Sequence, residues 1–323
     1  MKKFIQYLSY FALPIFLVII AFEIYLRQID TSYTEKEKGI LQNQKKIEVL
    51  ILGNSRATLG IDPNQFERYT YNLANVAQPL YYDKRIALKY LDQLSNLKYV
   101  FITVDCGSLN YSRMGSREIW SYYGNGIEYK DEMPFFPKYS YLNGYSTSIA
   151  LKLLKNDLSG KYKVIKAIDL DTDYDLNRPI EKGFFGYKGT REEGMTAIHI
   201  FNRAGKGLDE GISPEKREIT MDLEDFIRIL KTKSITPILL TMPCHKDYVK
   251  ALHKNMVKRA ESDYQKLAQK YQLEYWNYLN FPMERMNFHD CDHLNIKGAE
   301  KFSKVLNERL MEKIQKDKIN QVK

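Results

Sequence analysis

Val49-Leu50-Ile51-Leu52-Gly53-Asn54-Ser55-Arg56 is the stretch on which the fold turns. Four apolar residues without polar alternation read as a strand buried on both faces, as in the middle of a parallel sheet. The run stops at Gly53-Asn54-Ser55, where glycine permits a sharp turn and serine is left at the strand's carboxyl end. Open α/β sheets bind their ligands at that end. A serine there becomes a nucleophile only with a base beside it and an acid to orient the base.

Outward from this strand the chain alternates. A short helix is expected over 63–68, a strand over 70–73, and a helix over 83–94 whose Ile86, Leu88, Tyr90, Leu91 and Leu94 share an apolar face. Residues 99–104 form a second buried-strand run that ends at Asp105-Cys106-Gly107. Further on come a helix over 218–231, a strand over 236–243, a long helix over 248–271, a strand over 273–276 and a last helix over 296–314. This order predicts an α/β fold, a three-layer α/β/α arrangement around a parallel sheet with right-handed crossovers. Between 108 and about 216 the rhythm fails, with helix expected only at 146–156 and 161–168. So long a segment is not a simple loop. It reads as an insertion covering the edge that carries Ser55. Its aromatics, among them Trp120, Tyr122, Tyr123, Phe135, Phe136, Phe184, Phe185 and Tyr187, suit either stacking on sugar rings or ordinary packing.

The base and acid come late, in His289-Asp290-Cys291-Asp292-His293-Leu294-Asn295. Asp290 and His293, three residues apart in one loop, let a single segment deliver both groups to Ser55. Gly-Asn-Ser after a buried strand and Asp-x-x-His before a final helix resemble the SGNH (GDSL-type) hydrolase and acyltransferase family over roughly 46–313. The resemblance implies Ser55 as nucleophile, His293 as base and Asp290 as the orienting acid. Asp292 is a rival, because some acyltransferase relatives use a shorter Asp-x-His spacing. It also implies an oxyanion hole built from the Ser55 backbone N–H, a glycine N–H after the next strand and an asparagine side chain. Here Asn75 or Ala77 stands where that glycine is expected. Asn110, in Asp105-Cys106-Gly107-Ser108-Leu109-Asn110, is the asparagine nearest the third block, at a different spacing. These looser inner blocks fit the membrane-anchored polysaccharide-acylation branch better than soluble lipases.

Other chemistries fit the residues less well. Five consecutive potential ligands in 289–293 cannot all face one ion, and no second His/Cys cluster has zinc spacing, so neither a metal nor another cofactor is expected. Three cysteines, Cys106, Cys244 and Cys291, allow one disulfide and a free thiol, or three small buried residues. His199, His245 and His253 read as surface or packing residues.

The net charge of +9 is spread over 49 Lys+Arg and 40 Asp+Glu. No basic stripe with interleaved aromatics would track a phosphate backbone, so nucleic acid is not expected and an anionic envelope polymer is. At the N-terminus, Met1-Lys2-Lys3 precedes a mostly apolar span over 4–26. Its 23 residues reach roughly 35 Å, enough to cross the hydrocarbon. Ala21-Phe22-Glu23 is a poor cleavage site, which favours an uncleaved anchor over a signal peptide. Lys2 and Lys3 favour an internal N-terminus, leaving the body outside the cytoplasmic membrane. The expected organisation is an anchor over 1–27, a polar linker over 28–45, a catalytic domain over 46–316 and a tail over 317–323. By the resemblance, the activity is serine-dependent acyl transfer on a cell-envelope glycan, as esterase or O-acyltransferase, with a multispanning membrane acyltransferase as acyl donor. The alternative is a non-catalytic binding or assembly subunit that keeps the fold.

Overall fold

The computed structural model of the chain describes residues 2–29, 31–144, 151, 154, 155, 158, 159, 180–209 and 211–322. The helix expected over 161–168, and most of the one over 146–156, fall outside the described residues.

Five strands, β1 (Val49–Leu52), β2 (Thr70–Asn72), β3 (Tyr99–Thr103), β4 (Thr236–Thr241) and β5 (Glu274–Asn277), form one parallel sheet in the order β2-β1-β3-β4-β5. In β1 the side chains alternate between two cores. Leu50 and Leu52 join Val100, Ile102 and Leu239 under α4 (Leu80–Leu91) and α9 (Lys216–Thr232). Val49 and Ile51 join Phe101, Ile238, Leu240 and Trp276 under α12 (Ile296–Val322), which contributes Phe302, Leu306 and Leu310. Both faces of the strand are therefore apolar, which is why its sequence does not alternate. The result is the three-layer α/β/α sheet read from the sequence. From β1 the chain moves out to β2 and then crosses back to β3 on the other side of β1. The carboxyl ends of β1 and β3 thus flank the topological switch point, where ligands of such sheets bind.

Several elements differ from expectation. Pro63–Gln65 is a single 3₁₀ turn rather than a helix reaching 68, with Asp62 capping it. The long helix expected over 248–271 is two, α10 (Lys246–Ala251) and α11 (Lys254–Tyr271). Leu252 breaks them with extended backbone (φ −67, ψ 144). Because Leu252 and Met256 are both buried, the apolar period reads straight through the break. The last helix does not stop at Ile314, and the expected tail is its final turns. The buried face ends at Ile314, but Lys313 pairs with Asp317 one turn on at 3.2 Å and the helix continues as a solvated rod.

The segment expected as a polar linker is α2 (Ser32–Asn43), packed on the body. Thr31 and Thr34 make a reciprocal capping box at its start. Tyr33 and Ile40 enter the main core, and the buried Lys36 donates from Nζ to Thr58 Oγ1 and the Ala74 carbonyl. Only a few positions of α2 are apolar, and Lys36 reads as solvated until its acceptors are seen. Burial drives its ammonium well below the ordinary lysine range. Ahead of α2 lies α1 (Lys2–Arg27), a helix long and apolar enough to cross a membrane; the most apolar 18-residue window within Gln6–Arg27 has a mean hydropathy of 2.1, and no part of that window is buried.

The 108–216 segment divides in two. Its first part carries α5 (Glu118–Asn125), whose Ile119 and Trp120 belong to the main core and which packs on α2. Two short helices follow, α6 (Phe135–Tyr139) and α7 (Tyr141–Gly144). The second part, 181–207 with α8 (Ala197–Arg203), lies against the loop that carries His293.

Candidate active site

The turn after β1 has little freedom. Gly53 sits at φ +137, and a Cβ there would lie 1.6 Å from Thr103 Oγ1, so the position demands glycine twice over. Asn54 caps α3 (Ser55–Gly60), its side chain accepting from the Arg56 N–H at 3.1 Å. Ser55 is therefore the first helical residue, and its backbone N–H is among the groups a helix leaves without an intrahelical acceptor. The six-residue helix is held against α12.

Ser55 Oγ lies 2.8 Å from His293 Nε2. The opposite ring nitrogen, Nδ1, is 3.0 Å from both carboxylate oxygens of Asp290. Asp290 Oδ1 also accepts the backbone N–H groups of Asp292 (3.0 Å) and His293 (2.8 Å), so the acid that orients the ring also shapes the loop. Burial raises the Asp290 pKa, but His293 and these hydrogen bonds outweigh it and hold the carboxyl below its ordinary range. Hydroxyl, imidazole and carboxylate are thus in line, the geometry needed to take a proton from a serine and return it to a leaving group.

Asp292 is directed mainly at two arginines rather than at the imidazole. It is buried, with Oδ2 accepting from Arg56 Nη2 at 2.9 Å and from Arg203 Nε at 3.1 Å. Its Oδ1 stands 3.5 Å from His293 Nδ1, longer than either Asp290 contact. Burial would raise this carboxyl, and His293, Arg56 and Arg203 together hold it below the ordinary range. Arg56 links the cluster to β3 through Asp105 Oδ2 at 2.9 Å, where Asn54 Nδ2 also donates, and to Tyr248 Oη at 2.9 Å. None of these partners was singled out from the sequence. Arg56 is adjacent to the serine and Asp105 ends a strand beside it, so position alone could have flagged both. Arg203 lies 89 residues from Asp292 and carries no local signal.

The wall comes from the insertion. Tyr187 stacks on His289 with ring centroids 3.6 Å apart and lies edge-on to His293 at 6.2 Å. His289 Nδ1 donates to the Gly189 carbonyl at 2.8 Å, and the Arg191 N–H donates to the His289 carbonyl at 2.7 Å. Gly194 passes so close that a Cβ would sit 2.6 Å from that of Asp290. Of the aromatics proposed for sugar stacking, Tyr187 alone lines the cavity, joined by Tyr111 and Tyr248. Trp120 and Phe184 are buried, and Phe135 and Phe136 lie exposed on α6.

Ser55 and His293 open on a cavity of about 790 Å³. Arg56, Arg113, Arg117, Arg191 and Arg203 line it, against the carboxylates of Asp105 and Asp292. Ala77 lines it too, at φ +58, the left-handed conformation for which glycine is the usual residue. Asn75 faces inward instead. Its N–H donates to the Gly53 carbonyl at 3.0 Å and its Nδ2 to Leu73 O and Gln78 Oε1, so it offers the cavity no donor. Asn110 lies on a separate small cleft with Lys216 and Arg259, its N–H bonded to Gly107 O at 2.7 Å. Its place beyond β3 suggested a donor, but the turn from Asp105 carries it away from Ser55.

Asp290, Cys291 and Asp292 bring potential metal-ligand atoms within 4.8 Å of one another, but His293 and the two arginines already engage both carboxylates. All three cysteines are free thiols; Cys244 and Cys291 are buried, and burial pushes Cys244 up to about 12. His245 caps α10, accepting from the Asp247 N–H.

The parallel sheet, the serine turn after its first strand and the acid–base loop before the last helix make up an α/β/α architecture with Ser55, His293 and Asp290 in contact at the carboxyl edge of the sheet. No protein-family model and no curated protein matches the chain. Similar solved structures include a GDSL-like lipase from Bacteroides thetaiotaomicron, at 10% identity and TM-score 0.39, covering 87% of this chain and 98% of that one. A provisionally assigned acylhydrolase from Bacteroides fragilis has 11% identity and TM-score 0.40, covering 86% and 96% respectively.

Proposed function

We propose that this chain is a membrane-anchored, extracytoplasmic serine acyl-transfer enzyme, an O-acyl esterase or O-acyltransferase acting on a cell-envelope glycan. The observation that carries the reading is the in-line contact of Ser55, His293 and Asp290 at the mouth of a large, arginine-lined cavity. Ser55 Oγ attacks the ester carbonyl as His293 Nε2 takes its proton. The tetrahedral intermediate then expels the alcohol, which leaves with that proton, and an acyl group remains on Ser55. In the second half the acceptor, water for an esterase or a sugar hydroxyl for a transferase, gives its proton to His293 and attacks the acyl carbon; the bond to Ser55 Oγ then breaks and Oγ takes the proton back from His293. Asp290 keeps Nδ1 protonated and stabilises the imidazolium throughout. The first helical N–H of α3, at Ser55, is the natural oxyanion donor, aided by the helix dipole. The backbone at Ala77 is the second.

The arginine-rich lining suits an anionic substrate, in keeping with an acidic envelope polymer, with Arg113 also paired to Asp131 and Arg191 to Glu193. The apolar α1 supports anchoring, and Lys2-Lys3 support an internal N-terminus with the body outside. A multispanning membrane acyltransferase is the donor this reading implies for the transferase; nucleic acid has no part in it. Ser55→Ala should abolish labelling by a fluorophosphonate probe and hydrolysis of a generic acetyl ester while leaving the melting curve unchanged, since one lost hydroxyl makes little cavity. Unchanged hydrolysis in that variant would sink the serine mechanism.

The second reading is a binding or assembly subunit without turnover. What favours it is the inward-turned Asn75 and the remote Asn110, which leave the cavity without the family's asparagine donor. A wild-type protein that resists the fluorophosphonate probe would select this reading.

A further inference from the structure

Phe4 to Phe22 is 19 residues of the helix α1. At a rise of ~1.5 Å each they span about 28 Å, close to the ~30 Å hydrocarbon thickness of a bilayer. If α1 is the anchor, Glu23 stands at the level of the lipid headgroups. A second part of the chain is fastened to that level. Glu23 accepts hydrogen bonds from Ser140 Oγ (2.9 Å) and from the backbone N–H groups of Tyr141 (2.9 Å) and Leu142 (3.0 Å). One turn on, Arg27 donates to the Tyr139 carbonyl at 2.9 Å and lies 4.7 Å over the Tyr141 ring. From the body, Tyr123 Oη donates to the Pro137 carbonyl at 2.7 Å. The α6–α7 hairpin is thereby clamped between the end of α1 and the domain.

The hairpin exposes aromatic surface. Phe135 and Phe136 are each 69% exposed and Tyr139 62%, with the Phe135 ring 5.6 Å from Phe136 and 4.9 Å from Tyr139. A clustered aromatic patch costs solvation in water and is stabilising at a bilayer interface, where Phe and Tyr rings embed beside the headgroups.

We propose that the α6–α7 hairpin is a second membrane contact, its Phe135, Phe136 and Tyr139 side chains embedded in the headgroup region of the same bilayer that α1 crosses. The occupant of the patch is lipid, because the patch is tied to α1 where the apolar span ends. The proposal rests on the anchoring of α1. Two contacts rather than one fix the tilt of the body, and with it the height at which the Ser55 cavity meets its substrate.

Depth-dependent fluorescence quenching tests this. The full chain, carrying either Phe136→Trp or Phe16→Trp, is reconstituted into phosphatidylcholine vesicles brominated near the headgroup end or near the acyl terminus. Trp120 and Trp276 are buried, so each signal is read against the parent protein in the same lipid. The expected result is quenching of the residue-136 indole chiefly by the shallow bromines and of the residue-16 indole chiefly by the deep ones. Deep quenching at 16 with none at 136 overturns the second contact and leaves the anchor standing. No deep quenching at 16 overturns the anchor, and with it the two-point contact, whatever happens at 136.

Discussion

Two aspartates, two positions apart, receive opposite tasks from their neighbours. Asp290 points both oxygens at His293 Nδ1, whereas Asp292 is enclosed with Arg56 and Arg203. Asp290→Asn should therefore lower turnover of an acetyl ester by up to ~10⁴-fold, with KM and the melting temperature little changed. Asp292→Asn removes the buried partner of two cations, Arg203 and the mostly covered Arg56, although Arg56 keeps Asp105. Breaking such a pair costs roughly 3–5 kcal/mol, so this variant should melt far below wild type. Turnover assayed well below its melting point should exceed that of Asp290→Asn. A dead but stable Asp292→Asn enzyme beside an active Asp290→Asn one would reverse the assignment. The serine, histidine and first acid were legible because each sits in a short local pattern. The cluster behind them was not, because Arg56, Asp105, Arg203 and Asp292 come from four separate segments joined only by folding.

At the level of elements, β1 and β3 could be read directly, since a strand buried on both faces shows an uninterrupted apolar run. α2 could not, because it buries a lysine and carries few apolar residues. α4 hides a similar departure. Asp83, in its first turn, is buried and accepts from Gln78 Nε2 at 2.6 Å. Burial raises its pKa, and Gln78 and the Gly53 backbone pull it partly back, leaving a net rise from 3.8 to about 7. The unfolded chain releases this proton near 3.8 and the folded chain only near 7. Between those values the folded state binds more protons, so stability should fall as pH rises through the window and level off above it. Asp83→Asn keeps an oxygen for Gln78 but cannot ionise. It should flatten this slope and be more stable than wild type at pH ~8 by on the order of 4 kcal/mol. Urea melts of both proteins at pH ~4.5 and ~8 measure this. Identical pH slopes would show that Asp83 does not titrate in the window.

On the scale of the whole molecule, the packed body begins earlier than the polar sequence of 28–45 suggests. Leu26, Ile29, Tyr33 and Ile40 all belong to the main core. The packing around α2 is tight in both directions. A Cβ on Gly39 would meet the Tyr71 hydroxyl at 2.1 Å, and one on Gly124 would meet the Tyr33 side chain at 2.3 Å. Tyr71 Oη also donates to the Lys36 carbonyl at 2.9 Å, tying β2 to α2. Removing residues 1–22 takes away exposed helix together with the partly buried Phe22 and keeps Glu23, Leu26 and everything after them. That variant should be soluble and melt within a few degrees of the full chain in detergent. Removing residues 1–45 strips four buried apolar side chains, each worth ~1.5–3 kcal/mol, and takes the Lys36 donor from Thr58 Oγ1 and the Ala74 carbonyl, which then keep their bond to each other. Against a typical net stability of ~5–15 kcal/mol, that loss leaves little or nothing. The shorter chain should therefore be largely unfolded by circular dichroism or aggregate, although every residue of the candidate active site is still present. A 46–323 protein that melts as high as the 23–323 protein would show instead that α2 is the tether its composition suggests.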